Sequence, residues 1–273
     1  MTTAPQAAGL RVSSRDNPLL VKLRKLVQQP AAYRKLGEYW LEGEHLCAAA
    51  VARGVQAEVA LITEEAWADA RWHALASRAR RIAIVPAALF AAVSAVESPV
   101  GLGFVIPHTP PSALLPAVDT VVLDRLQDAG NVGTILRSAA AFGVRQVLAL
   151  KGTAALWSPK ALRAGMGAHF ALHLVEQLSP DDLAGLGLPL VATSSHAEQA
   201  VCDARLPSPC AWLLGHEGQG VAPELLARCA LTVGIPQPGG EESLNVGVAA
   251  SVCLYEAMRQ RRQADAASGA ARA

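Results

Sequence analysis

Residues 118–150 read Val118-Asp-Thr-Val-Val-Leu123-Asp-Arg-Leu-Gln-Asp-Ala-Gly-Asn131-Val-Gly133-Thr-Ile-Leu-Arg137-Ser-Ala-Ala-Ala-Phe142-Gly143-Val-Arg-Gln146-Val-Leu-Ala-Leu150. The apolar run Val118–Leu123 predicts a buried strand. A polar turn follows, and Asn131 has the chemistry of a helix N-cap. Apolar residues at helical spacing then predict a helix over Val132–Phe142, and Gln146–Leu150 is a second strand. The alternation continues, with strands expected at Leu190–Thr193, Ala211–Leu214 and Leu231–Ile235. Helices are expected at Ser158–Ala164, Pro223–Cys229 and Leu244–Arg261. Apolar strands alternating with helices imply an α/β fold, a parallel sheet covered on both faces. Ligands of such sheets sit at the carboxyl ends of the strands.

The composition agrees. The chain has 273 residues, 52% hydrophobic and 17% charged, too apolar for a disordered chain. Aromatics are only 4%, so Ala, Val and Leu must build the core. A net charge of +1 excludes a polybasic protein, though not a local basic patch. Five cysteines without a C-x-x-C pair read as buried or partly buried free thiols. No apolar window spans a membrane, and no basic-then-apolar leader opens the chain, so a cytoplasmic protein is expected.

Basic charge is concentrated near the start. Between Arg11 and Gly37 stand seven bases (Arg11, Arg15, Lys22, Arg24, Lys25, Arg34, Lys35) against one acid, Asp16. Asn17-Pro18 predicts a helix start, Leu19, Leu20, Leu23 and Leu26 supply an apolar face, and Pro30 ends the run. This face is either merely solvated or a nucleic-acid contact. Strands then alternate with helices: Tyr39–Leu41, Glu44–Ala52, Glu58–Ile62, Glu64–Ser77, Arg81–Val85, Ala87–Val93 and Gly103–Ile106. Pro107-His108-Thr109-Pro110-Pro111-Ser112 reads as a linker. The expected organisation is a disordered tail over 1–10, a small α/β domain over 11–106, a linker over 107–117, a larger α/β domain over 118–262 and a tail over 263–273.

There is no P-loop, no dinucleotide-binding glycine fingerprint after a strand, and no nucleophile elbow. His169 and His173 lie four apart, but they alternate with Phe170, Leu172 and Leu174 as in a strand and have no third ligand, so no metal is expected. Three segments carry the chemical signal. The first is the turn and helix holding Asn131, Gly133 and Arg137. The apolar neighbours of Arg137 place its charge close to the core. The second is Gly215-His-Glu217-Gly218-Gln-Gly220, directly after a buried strand, where glycines allow a ligand close to the backbone. The third is Ile235-Pro236-Gln237-Pro238-Gly239-Gly240-Glu-Glu-Ser243-Leu244-Asn245, a Pro/Gly loop opening a helix, with Ser243 as a candidate cap.

In this order, the three segments resemble the motifs of the SpoU/TrmH family of RNA ribose 2′-O-methyltransferases, of the SPOUT class. The match covers about residues 118–261. Ser14-Arg15-Asp16-Asn17-Pro18, with Leu41-Glu42-Gly43, resembles the family's RNA-substrate-binding domain. Two positions depart: Gln237 stands where the motif usually has Met, and Gly247 where it usually has Ser.

The resemblance implies a catalytic domain with a deep trefoil knot, S-adenosyl-L-methionine as cofactor, and a homodimer joined through the C-terminal domain. It implies a tRNA or rRNA partner, and neither a membrane nor a metal. By carry-over, Asn131, Arg137, Glu217, Ser243 and Asn245 are catalytic. Thr193, Ser194, Gly215, Glu217, Gly218, Ile235, Pro236, Ser243 and Leu244 bind the cofactor, with Ser195 and His196 extending that wall. Arg15, Lys22, Arg24, Lys25, Arg34 and Lys35 contact RNA. Asn131 and Glu217 are expected to orient Arg137. A guanidinium is a poor base at neutral pH, so Arg137 reads as an electrostatic stabiliser. The competing readings are a non-catalytic RNA-binding protein of SPOUT fold and a base-methylating SPOUT enzyme.

Overall fold

The computed structural model describes residues 9–111, 113–240 and 243–270. Of the tails expected over 1–10 and 263–273, residues 1–8 and 271–273 lie outside the described residues. The chain forms two units, Met1–Thr109 with Trp157–Phe170, and Pro110–Leu156 with Ala171–Ala273.

The first unit runs β1 (Leu10–Arg11), α1 (Pro18–Gln28), α2 (Ala32–Leu36), β2 (Glu38–Glu42), α3 (Glu44–Ala52), β3 (Val59–Thr63), α4 (Glu64–Ala68), α5 (Ala70–Ala76), β4 (Arg81–Val85), α6 (Ala87–Ala91) and β5 (Leu102–Pro107). Its sheet has the order β1-β4-β3-β5-β2. β5 runs antiparallel to both β2 and β3. The α1 cap is as read: the Asn17 side chain accepts from the Leu19 N–H at 3.0 Å, and Leu20, Leu23 and Leu26 are buried.

Several expectations change. Leu10 is in a strand, not a tail. The single helix expected over Glu64–Ser77 is two, broken at Asp69. Its carboxylate leaves the helix to cap α5, accepting from Arg71 N–H at 2.8 Å. Gly103 is required by packing, because a Cβ there would overlap the Trp40 ring and crowd the Leu41 carbonyl.

The second unit runs β6 (Thr120–Leu123), α7 (Ala129–Ala141) and β7 (Gln146–Leu150). The chain then contributes α8 (Pro159–Gly165) to the first unit, with Ser158 as cap. That segment was expected in the larger domain. Trp157 accounts for its grouping, since it packs on Tyr39, His108 and His169 at ring-centroid distances of 4.6, 5.4 and 5.2 Å. The second unit resumes with β8 (His173–Leu178), β9 (Leu190–Thr193), β10 (Ala211–Leu214), α9 (Pro223–Leu226), β11 (Leu231–Val233) and α10 (Val246–Ala270). All six strands are parallel, in the order β11-β9-β10-β6-β7-β8. The central strands β6 and β10 are fully buried, as continuous apolar runs require.

The strand pattern read over 169–174 begins only at His173, and Ala168–Ala171 is a 3₁₀ turn. His169 is buried beside Trp157, and His173 Nε2 meets the Ala113 carbonyl at 2.7 Å. α10 runs past the helix end expected at Arg261, because Ala-rich sequence continues a helix at little cost. Cys47, Cys210 and Cys253 are buried and Cys229 half-buried, but Cys202, in a turn, is exposed. Among the described residues no helix is long and apolar enough to cross a membrane.

Gly103→Ala should destabilise the first unit by about 1–3 kcal/mol through overpacking. Chemical denaturation checks this, and an unchanged midpoint would contradict the packing described.

Candidate functional site

Three loops meet at the carboxyl ends of β9, β10 and β11, and they line a cavity of about 280 Å³. Its lining includes Thr193, Ser194 and Ser195 after β9; Gly215, His216, Glu217 and Gly220 after β10; and Ile235, Gln237, Ser243, Leu244 and Asn245 beyond β11. Of the residues expected to bind a cofactor, Gly218 and Pro236 are not in this lining. His216, Gly220, Val233, Val246 and Ala249 are in it and were not expected. Motif matching has no signal for these, because their place follows from the loops' path.

Gly215 serves the loop itself. A Cβ there would overlap the backbone of Gly220 and Val221, which crosses directly over it. His216 and Gly220 exchange two backbone hydrogen bonds at 3.0 and 2.8 Å, and Gly220 has φ +68°, which favours glycine. Gly215 was read as room for a ligand. It is instead the seat of this crossing, so Gly215→Val would break the loop before it met any ligand.

Asp124, buried at the end of β6, ties that loop to the sheet. Its carboxylate accepts from Ala222 N–H at 2.8 Å and from Arg125 Nε at 2.8 Å. Arg125 in turn donates to Gln219 Oε1 at 3.1 Å.

Glu217, Asn131 and Asn245 form one chain of hydrogen bonds. The Glu217 carboxylate accepts from the backbone N–H groups of Gln127 and Asp128, both at 3.1 Å, and from Asn131 Nδ2 at 3.2 Å. Asn131 Oδ1 accepts from Asn245 Nδ2 at 2.9 Å. Asn245 Oδ1 accepts from Gly247 N–H at 2.9 Å and Val248 N–H at 3.3 Å, capping α10. Two caps therefore move. Asp128, not Asn131, caps α7, accepting from Asn131 N–H at 2.9 Å. Asn245, not Ser243, caps α10. Desolvation pushes the Glu217 carboxyl up, but hydrogen bonds from Gln127, its own backbone, Asn131 and Asp128 outweigh this and hold it below its ordinary value.

The amide inventory is definite. Glu217 offers only acceptors, so Asn131 must turn its NH₂ toward it and its oxygen toward Asn245. Each asparagine spends one amide N–H and retains another.

Arg137 departs from expectation. It is exposed, and neither Asn131 nor Glu217 bonds it; no hydrogen bond or ion pair joins it to another described residue. Residue 137 is six positions beyond Asn131, about a third of a turn off its face, so the apolar neighbours in sequence fill the opposite side of α7.

In the first unit, Lys22 is ion-paired to Glu38 and half-buried, and Arg24 donates to the Arg15 carbonyl at 3.0 Å. Arg15, Lys25, Arg34 and Lys35 are exposed, with Arg34 over the Tyr33 ring at 5.5 Å.

The model of the SpoU rRNA Methylase family matches residues 119–255. The chain belongs to the SpoU methylase family. It is similar to an uncharacterized tRNA/rRNA methyltransferase of Synechocystis sp., 33% identical over 268 residues, which span 92% of this chain and 94% of that one. It is 34% identical over 169 residues to the 23S rRNA (guanosine(2553)-2′-O)-methyltransferase RlmP of Bacillus subtilis, covering 61% of this chain and 68% of the relative. Among solved structures it is similar to the SpoU methyltransferase AviRb from Streptomyces viridochromogenes in complex with the cofactor AdoMet. That match has a TM-score of 0.79 and 26% identity, over 90% of this chain and 100% of that one. The SpoU family match covers the α7 turn, the glycine loop and the start of α10, so all three site segments lie within it.

The pH dependence of Glu217 follows from its lowered pKa. Its contribution to stability is complete above the unfolded value of about 4.3 and is lost as pH falls through the lower folded value. Glu217→Gln should therefore lower the melting temperature at pH 7, and the difference from the parent should shrink as pH falls below about 4. A pH-independent difference in calorimetric scans would contradict a charged Glu217 as the anchor.

Proposed function

We propose that this protein is an S-adenosylmethionine-dependent enzyme that methylates a ribose 2′-hydroxyl in structured RNA, tRNA or rRNA. The observation that carries the reading is the Glu217–Asn131–Asn245 chain, two of whose members line a cavity with no lysine or arginine among its described lining residues. S-adenosylmethionine supplies an electrophilic methyl group on a positively charged sulfonium. The cavity suits such a group: Glu217 is the carboxylate among its described lining residues, which otherwise are His216 and small, polar or apolar side chains. Thr193, Ser194, Gly215, Ile235, Ser243 and Leu244 would hold it. The relatives named as 2′-O-methyltransferases and the AdoMet-bound neighbour support the same reading.

The chain's own contribution is orientation and charge. The spare amide N–H groups of Asn131 and Asn245 hold the ribose oxygen as negative charge develops on it, with Ser243 beside them. Positioning of this kind is worth on the order of 7–11 kcal/mol where geometry is well fixed. Glu217, already accepting three N–H groups, orients rather than titrates. Arg137, unpaired among the described residues, has its guanidinium available for a phosphate or the developing alkoxide.

Two further parts of the reading concern partners. Val248, Val252 and Tyr255 are exposed at successive turns of α10, and this apolar stripe is the face on which a second copy packs. The C-terminal unit takes the knotted path of the family, a reading supported by the family match over residues 119–255. The exposed bases of the first unit contact RNA.

Nucleoside mass spectrometry of RNA from a deletion strain and its parent tests the activity. Loss of one 2′-O-methylnucleoside is expected, whereas loss of a base methylation would favour the base-methylating alternative. Arg137→Lys keeps the charge but loses the planar fork. Single-turnover methyl transfer should fall about 10²–10³-fold, with cofactor affinity unchanged. Full activity would remove Arg137 from the mechanism. Replacing Arg15, Lys25 and Lys35 together with Ala should weaken RNA binding and flatten its salt dependence; an unchanged slope would make them a merely solvated face.

A further inference from the structure

Gln237 lines the cavity, and its side-chain Oε1 is buried with no hydrogen-bond partner among the described residues. Its backbone is fixed, since the carbonyl accepts from Gly240 N–H at 3.2 Å in the turn that follows. The main chain is thus held while the amide oxygen is left unpaired, and an unpaired buried acceptor costs stability. The terminal torsion of a glutamine is soft, so the amide of this lining residue can turn to meet a donor at little cost. Glu217, by contrast, has its acceptors already engaged.

We propose that Gln237 is a specificity-determining residue for the cofactor, its amide oxygen accepting a hydrogen bond from an N–H or O–H donor of bound S-adenosylmethionine. The inference rests on the assignment of this cavity to that cofactor. Three donors meet the chemistry: the adenine 6-amino group, a ribose hydroxyl and the α-ammonium. A methionine at this position, as in the motif the chain resembles, would offer only a weak sulfur acceptor.

Calorimetric titration of the full-length protein and of Gln237→Met with S-adenosylhomocysteine tests this, alongside thermal unfolding of both without ligand. The variant should bind about tenfold more weakly, the loss of about one hydrogen bond. Its ligand-free melting temperature should be equal or higher, because the unpaired oxygen is gone. 5′-Methylthioadenosine lacks the amino acid, so disappearance of the deficit with it identifies the α-ammonium. S-inosylhomocysteine lacks the 6-amino group, so disappearance there identifies that donor. A deficit retained with both points to a ribose hydroxyl. Equal affinity of the two proteins for S-adenosylhomocysteine overturns the proposal, as does a fall in affinity matched by a fall in ligand-free melting temperature. If the parent binds none of the three, the cavity assignment itself fails, which is a different result.

Discussion

One ionised carboxylate sets the orientation of both asparagines in the site. Glu217 can only accept, and it accepts from both backbone and side chain. That fixes the amide of Asn131, which fixes the amide of Asn245, which is left with its oxygen toward the first N–H groups of α10. An asparagine alone can present either end of its amide to a substrate. Here the direction is transmitted over two asparagines from elements 86 and 114 residues apart in sequence. The helix terminus completes the chain, because its unpaired N–H groups require an acceptor. Neither asparagine could reverse without leaving donors facing donors.

The fold supplies this chain by convergence. The ends of neighbouring parallel strands deliver the α7 turn, the glycine loop and the approach to α10 to one edge of the sheet. Asp124, buried where β6 ends, holds the glycine loop by its Ala222 N–H. Thus the same strand whose following turn carries Asn131 also restrains the loop that carries Glu217.

All strands of the second unit but β8 were legible, as apolar runs bounded by polar turns, and β7, β9 and β10 begin and end where the pattern does. Helix starts were harder. Asp128 and Asn131 are both good capping residues three positions apart, and only the structure shows that one caps while the other is free for the site. Ser243 and Asn245 pose the same ambiguity. Arg137 was misplaced because adjacency in sequence is not adjacency on a helix. Lys22 was counted as a free charge because its partner, Glu38, lies beyond α2 and in a different element. The lining of the cavity was legible at most motif positions, Gly218 and Pro236 excepted. At His216, Val233 and Ala249 it was not, because they enter through the path of the backbone rather than through a residue type with a chemical signature.

The crossing at Gly215 limits how this wall can vary. Two stretches of main chain touch with no space for even one methyl group, so no side chain can be added there to reshape the cavity. Adjustment of what the cavity accepts falls instead to lining positions that already carry side chains, such as Thr193–Ser195, His216 and Gln237. At Gly215 itself the wall is a fixed mould, and adaptation to a different ligand is displaced to its neighbours.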